Sequence, residues 1–380
     1  MDMLRKTRAE IYLDHIEHNL NAMRQTMDKH VKVAAVVKAN AYGHDIVKVT
    51  DLLLQNNVDY IAVATLQEAV QLRKKFAQAP LLVMGYTPDD QLPFAVDLSI
   101  TQTIFSLQQG ELMAQRAKTT AKTAKVHVKL DTGFNRLGYQ DHQLALEEIT
   151  ALADLEGLEV EGIFSHLALN SVESDEKQFQ QLTDLVAKLA NRGVEIPNKH
   201  ICDSIGAVAY PHYHMDMVRL GALLYGYCSR PTSFELKPAM TLRTEVSMVK
   251  TIDSGQGVSY SHLYTASAPT SIATLPIGYA DGPPRNSWKE GQVLVKGQRA
   301  KYAGLPCMDQ CMLDVTGLDV AVGDEVILFG RKGDQELPLN DLSKWCGTNK
   351  NELLTRVSPR VPRVYYRNGT IVDVVDYLES

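Results

Sequence analysis

The chain has 380 residues, 45% hydrophobic and 22% charged, enough to bury a full core without disulfides. Its formal charge of −6 carries no strongly basic block, which argues against nucleic acid as the main ligand. The five cysteines (Cys202, Cys228, Cys307, Cys311 and Cys346) are odd in number and form no Cys-x-x-Cys pair, which argues against a disulfide framework or a zinc site and for a reducing compartment.

The opening residues, MDMLRKTRAEIYLDHIEHNL, contain no apolar core of a secretory signal. The apolar runs fall far short of the ~20 residues that span a bilayer. The expectation is a cytoplasmic protein with neither a membrane nor a nucleic-acid partner.

From about residue 31 to 228, short β-branched runs alternate with amphipathic stretches. The predicted strands are 32–37, 60–64, 81–84, 98–103, 126–130, 162–165, 200–202 and 217–220. Helices are predicted over 46–55, 65–76, 107–117, 144–155 and 175–191. The last of these sets Phe179, Leu182, Leu185, Val186 and Leu189 near one face. Eight strands alternating with helices predict a parallel α/β fold, and eight is the count of a (β/α)8 barrel. An open doubly wound sheet is the competing architecture. It is weakened because no Gly-rich dinucleotide fingerprint follows the first strand.

After about residue 235 the texture changes. Segments 240–252, 270–276, 292–295, 312–315 and 325–328 predict short strands separated by Gly-Gln, Gly-Asp and Lys-Gly turns, with helices only at 339–346 and 349–354. The expected organisation is a barrel over 1–235 and a mostly β domain over 236–380. The first ten or so residues are candidates to pair with the β domain.

The first chemical candidate is Lys38, where the apolar run Val36-Val37 meets Lys38-Ala39-Asn40-Ala41-Tyr42-Gly43. In a barrel this lysine stands at the C-terminal mouth, where such folds keep their active sites. Loss of solvation there lowers an amine's pKa and makes it a nucleophile able to form a Schiff base. A lysine that marks a strand end and reaches to water is the other reading of this segment alone.

The segment KANAYGHD at 38–45 resembles the cofactor-lysine motif of the alanine racemase family. The resemblance continues in order through DTGFNRLG at 131–138, SH at 165–166, DS at 203–204, MVRLG at 217–221, VSY at 258–260, IGYADG at 277–282, CMDQ at 307–310 and RVPR at 360–363. It therefore spans nearly the whole chain. It implies a pyridoxal 5′-phosphate enzyme that interconverts L- and D-alanine and supplies D-alanine to peptidoglycan.

The resemblance implies that Lys38 carries the cofactor and that Tyr42, Ser204 and the N–H groups of Gly221 and Ala222 hold its phosphate. Backbone donors after the last barrel strands suit a phosphate dianion. Arg219 would face the pyridine nitrogen, with His166 beside the ring. A guanidinium only donates, so it would keep that nitrogen unprotonated and weaken the ring as an electron sink. Arg136 would contact the cofactor's phenolic oxygen and help bind the substrate carboxylate. Lys129 is the candidate for a carbamate that orients Arg136.

Racemisation needs a base on each face of the α-carbon. The resemblance gives one role to Lys38 and the other to Tyr260, supplied by the neighbouring subunit together with Tyr279, Met308 and Asp309. A homodimer with shared sites is then obligatory.

The pattern is broken in several places. Pro359 stands where several family members have a tyrosine that touches the phosphate. Leu305-Pro306 precedes Cys307 where an arginine is frequent. Leu169-Asn170 replaces Ala-Asp, Asp203 replaces Asn, and Pro283-Pro284-Arg285 replaces an aromatic. None is a proposed base, but together they leave serine as the first competing substrate, because a small pocket discriminates a hydroxyl by only ~1–3 kcal/mol. Two other functions compete. A related decarboxylase would place an acid at the pyridine nitrogen, against Arg219. A non-catalytic cofactor carrier would lack the β domain with Tyr260 and CMDQ.

Overall fold

The computed structural model describes residues 4–378. The chain divides into two compact units. One comprises residues 17–41 and 46–236; the other takes the chain up to residue 16, residues 42–45 and everything from 237 onward.

The first strand of the chain, β1 (Arg8–Tyr12), belongs to the second unit. The eight that follow are β2 (Lys32–Val36), β3 (Tyr60–Val63), β4 (Leu81–Val83), β5 (Thr101–Ile104), β6 (Ala124–Lys129), β7 (Leu158–Phe164), β8 (Asn198–His200) and β9 (Met217–Leu220). They pair in parallel in the order β8-β7-β6-β5-β4-β3-β2-β9. Asp216 N donates to Lys199 O at 3.1 Å and Arg219 N to Cys202 O at 3.0 Å, which brings the two outer strands together and closes the ring. Strands covered on both faces need continuous apolar runs, and β3 and β4 are buried at every position.

The outer helices start where the sequence supplies caps. Thr65 and Glu68 form a capping box for Leu66–Lys75, and Ser106, Asp141 and Ser171 cap Leu107–Thr120, His142–Ala153 and Val172–Asn191. Each cap satisfies N–H groups that would otherwise lack partners. The last helix buries Leu182, Leu185 and Leu189 on one stripe.

Several boundaries differ from expectation. The strand predicted from 98 starts at Thr101, because Leu92–Asp97 is a helix with Leu98 as its C-cap. The strand predicted from 162 starts at Leu158. Its two acidic residues, exposed Glu159 and buried Glu161, disguise it in the sequence.

The second unit carries an eleven-stranded sheet among the described residues. In it β1 runs antiparallel to Met240–Glu245, with Ala9 opposite Leu242, and parallel to Arg363–Arg367. The predicted single strand 240–252 is two. Met240–Glu245 pairs with Glu325–Lys332, then the chain turns at Val246-Ser247 so that Met248–Ile252 pairs with Thr270–Leu275. Arg363 is almost fully buried here and donates to four carbonyls, including Gly43 O at 3.1 Å and Val361 O at 2.5 Å. Gly43 has φ +82° and lies so close to Leu354 O that a Cβ would stand 2.4 Å away, so only glycine fits.

Candidate active site

The barrel strands deliver Lys38, Lys129, His166 and Arg219 to the same rim, because each lies at or just past the C-terminal end of a strand. Pairing of β2 continues to Val37, whose N–H donates to Ala62 O at 2.9 Å, and Lys38 is the next residue. Beyond it the backbone makes a left-handed turn: Ala39, Asn40, Ala41 and Tyr42 have φ between +52° and +54°. Each such residue costs roughly 1–2 kcal/mol, and runs of this kind collect at functional sites. The turn is tied down. Ala39 N donates to Glu68 Oε1 at 2.7 Å, and Asn40 Oδ1 accepts from Ile46 N at 2.8 Å.

Lys38 is half-buried, and its amine makes no hydrogen bond or ion pair among the described residues. Burial, and after it the Arg136 guanidinium, hold its pKa below the ordinary 10.5. Lys129, the last residue of β6, is buried and donates to Leu130 O at 2.7 Å, with Nζ 5.3 Å from the Phe164 ring centre. Desolvation, reinforced by the charge of Arg219, brings it down to about 7.

The DTGFNRLG segment explains itself locally. Asp131 accepts from Gly133 N, Asn135 N and Arg136 N at 3.0–3.1 Å. Burial raises its carboxyl, but those N–H donors outweigh it and leave the group below the usual range. Gly138 has φ +120°, and a Cβ there would lie 2.8 Å from Lys129 O. The loop so folded lifts Arg136 to the surface with its guanidinium 4.4 Å from the Phe134 ring. Phe134 in turn packs on His166, ring centres 4.9 Å apart.

Arg219 organises the rest. It is 4% exposed, and no carboxylate pairs with it among the described residues. Nη2 donates to Ser165 O (3.0 Å), Ile201 O (2.8 Å) and His166 Nδ1 (3.2 Å), and Nη1 to His200 Nδ1 (2.8 Å). Its Nε–H and one Nη1 hydrogen meet no acceptor among the described residues. Burial and then Arg219 push the His166 imidazole down to about 2, so it is neutral. Since Arg219 only donates, His166 accepts at Nδ1 and carries its proton on Nε2. Ser204 opens the short helix Ser204–Ala209, capped by Asp203. Its Oγ accepts from Gly221 N at 2.8 Å, so Gly221 spends its N–H on Ser204. The Ser204 hydroxyl hydrogen and the Ala222 N–H stay available.

The remaining predicted residues sit on the second unit. Tyr42, buried, belongs there with Gly43–Asp45. Tyr279 N donates to Cys307 O at 3.1 Å and Ala280 N to Met308 O at 3.0 Å, which joins the IGYADG and CMDQ loops. A Cβ at Gly278 would stand 2.2 Å from Met308 O, so the glycine permits this approach. Ser259 Oγ donates to Leu305 O at 2.6 Å and brings the Tyr260 loop alongside. Asp309 pairs with Arg360 at 2.8 Å. Tyr260 and Met308 are 63% and 53% exposed, unusual for side chains of this size. Sequence reading missed His127, Glu161 and the role of His200. Their only signal is a polar residue inside an apolar strand run.

A (β/α)8 barrel with an unpartnered lysine and a buried arginine at its mouth, followed by a mostly β domain, defines a class of two-domain lysine-barrel enzymes. The comparisons make it specific. A family model for the alanine racemase N-terminal domain matches residues 11–229, and one for the C-terminal domain matches 239–365. Alanine racemase 2 of Caldanaerobacter subterraneus subsp. tengcongensis is 42% identical over 390 residues, covering 100% of this chain and 99% of that protein. The alanine racemase of Clostridium perfringens is 38% identical, covering 97% and 98%. The alanine racemase structure from Clostridium difficile 630 superposes with a TM-score of 0.94 at 38% identity, covering 99% of this chain and all of that one. The Bacillus anthracis alanine racemase with bound L-Ala-P gives 0.92 at 31%, covering both chains fully. The chain belongs to the alanine racemase family of isomerases.

Proposed function

We propose that this chain interconverts L- and D-alanine with pyridoxal 5′-phosphate at the barrel mouth, using Lys38 and Tyr260 as the two bases. One observation carries the reading: an amine with no partner, Lys38, on the same rim as Arg219, a buried arginine with donors to spare. These residues fit the cofactor. Lys38 is free to condense with an aldehyde, and Arg219 has unspent N–H donors for a ring nitrogen. Ser204 with Ala222 offers donors to a phosphate, alongside Tyr42, while Gly221 would reach it only by giving up its bond to Ser204. When bound, the cofactor supplies that aldehyde and an electron-poor ring that acidifies the substrate α-C–H.

The chain's own residues do the rest. Lys38, its amine held below 10.5, takes or returns a proton at one face of the α-carbon. Arg219 cannot give up its donor role, so it would hold the ring nitrogen unprotonated and weaken the ring as an electron sink. Neutral His166 would lie beside the ring. Arg136 and the Met308 N–H bind the substrate carboxylate, with Tyr279 and Asp309 nearby.

Tyr260 works the opposite face from the partner subunit of a homodimer. Its exposure, with that of Met308, supports a role completed by a second copy. Lys129 carries a carbamate beside Arg136; its pKa of about 7 leaves the neutral amine needed to attack CO2. The cellular role is supply of D-alanine for peptidoglycan in the cytoplasm.

The test is incubation of holoenzyme in D2O with L-alanine or L-serine, followed by chiral analysis. D-alanine with α-deuterium and little D-serine is expected, and Lys38→Ala should lower the rate by at least about 10³-fold. Comparable D-serine would replace alanine specificity by a broader racemase. No exchange on either substrate, or full activity without Lys38, would overturn the reading.

A further inference from the structure

Behind Arg219 runs a line of buried polar groups that the reaction above does not use. Arg219 Nη1 lies 2.8 Å from His200 Nδ1, His200 Nε2 lies 2.9 Å from His127 Nδ1, and His127 Nε2 lies 3.6 Å from Glu161 Oε2. Both imidazoles are fully buried and Glu161 is 8% exposed. The last distance is long for a hydrogen bond. Even so, His127 Nε2 has no other partner among the described residues. A buried donor left without one costs about 1–3 kcal/mol, and the Glu161 carboxylate at 3.6 Å offsets part of that cost by electrostatic attraction to the Nε2 proton.

The direction of every bond in this line is forced. Arginine donates and cannot accept, so His200 accepts at Nδ1. A neutral His200 then carries its proton on Nε2 and donates to His127 Nδ1. His127 in turn carries its proton on Nε2, facing Glu161, which only accepts when ionised. The two ends agree on one arrangement, and no reversed one exists. Burial keeps both imidazoles neutral by lowering their pKa values. Burial raises Glu161, but the hydrogen bonds from His127 and Lys125 outweigh it and bring its carboxyl down to about 2.

The backbone is shaped for this line. Val126 of β6 faces Val160 of β7, yet His127 faces Gly162, so Glu161 is the extra residue of a bulge. A Cβ on Gly162 would stand 2.6 Å from the His127 ring, so only glycine leaves room. The His200 ring stacks on Phe164 at 4.7 Å and 3°, and Tyr60 meets His127 edge-on at 5.7 Å. Lys125 Nζ at 2.8 Å and Thr101 Oγ1 at 3.2 Å hold the carboxylate. A bulge, a glycine and two clamped rings all converge on one carboxylate, held by residues near the N-terminal ends of β5 and β6.

We propose that Glu161, acting through His127 and His200, is a positioning residue that holds the His200 ring as the acceptor of Arg219 and so fixes the orientation of the guanidinium at the barrel mouth. The catalytic consequence rests on the assignment of Arg219 to the cofactor's ring nitrogen; the proton arrangement does not. Outer groups of this kind set the tautomer and orientation of the residue they support.

The test is neutron diffraction from deuterium-exchanged crystals of the holoenzyme, joined to kinetics of two variants. The expected result is deuterium on Nε2 of both His127 and His200, none on either Nδ1, and none on Glu161. A deuterium on Nδ1 of either ring, or on the carboxylate, overturns the proposal. Glu161→Leu removes the acceptor and should lower kcat roughly 10–100-fold, the loss usual for such outer partners, with KM changed by less than about twofold. Glu161→Gln keeps an acceptor oxygen and should retain kcat within about threefold. Wild-type kcat in Glu161→Leu, or an equal loss in both variants, also overturns it. Should Glu161→Leu not fold, the proton positions and the Gln variant decide. If the racemase reading itself failed, the proton positions would be as expected while no variant, nor the wild type, exchanged an α-proton.

Discussion

At the scale of single residues, the barrel mouth separates amines by their surroundings. Among the described residues the Lys38 amine has no hydrogen-bond partner, while Lys129 donates to a single carbonyl and is brought down to about 7. The sign of the pH effect on Lys129 follows. Below pH 7 it is an ammonium and inert towards CO2; as pH rises through 7 the neutral amine forms, attacks CO2 and loses a proton to give the carbamate. Arg136 is close enough for its charge to lower the Lys129 pKa, and the same guanidinium would pair with the carbamate. Incubation with 13C-bicarbonate should give a carbamate carbon signal that grows between about pH 6 and 8 and is lost in Lys129→Met. A protein showing no such signal at pH 8 would mean that Lys129 acts as an amine.

At the scale of elements, the site rests on local backbone choices with a measurable cost. The left-handed turn after Lys38 holds four non-glycine residues at positive φ. Ala39→Gly should remove part of this cost and raise stability by about 0.5–1 kcal/mol, read as a shifted denaturant midpoint at constant slope. It should lower turnover, because the turn aims Lys38. A destabilised Ala39→Gly would show that the turn is not strained. These choices also mark where the sequence could be read. KANAYG and DTGFNRLG were legible through their resemblance, in order with seven other segments, to one family. The residues alone left Lys38 open between two readings, and the bonds of Asp131 emerged only in the fold. Most barrel strands were legible because strands covered on both faces tend to be apolar, but β8, Asn-Lys-His, carries no apolar run and was expected two residues late, at 200–202. Glu161 was not, because a bulge depends on the register between two strands far apart in sequence. The break at Val246-Ser247 was hidden for the same reason: both halves are β-rich, and only their pairing partners differ.

At the scale of the whole molecule, the residues proposed to act are divided. Lys38, Arg136, His166 and Arg219 lie in the barrel unit, while Tyr260, Tyr279, Met308 and Asp309 lie in the unit built on the large sheet. Should a dimer share its sites, a mixture of Lys38→Ala and Tyr260→Phe chains regains activity. The mixed dimer has one doubly altered site and one intact site, so random equal mixing restores about a quarter of the wild-type rate. Mixing that restores nothing, with mixed dimers verified by mass, would place both residues of a site on one chain.

The central claim is that Lys38 and Tyr260 act on opposite faces of the same α-carbon. Its most direct test is α-proton exchange in D2O by the Tyr260→Phe holoenzyme, run separately from L- and from D-alanine at low conversion. The account predicts that one enantiomer still exchanges its α-proton through Lys38 with retention, that the other does not, and that inversion falls sharply for both. Equal exchange from both enantiomers with undiminished inversion would contradict it and remove Tyr260 as a base.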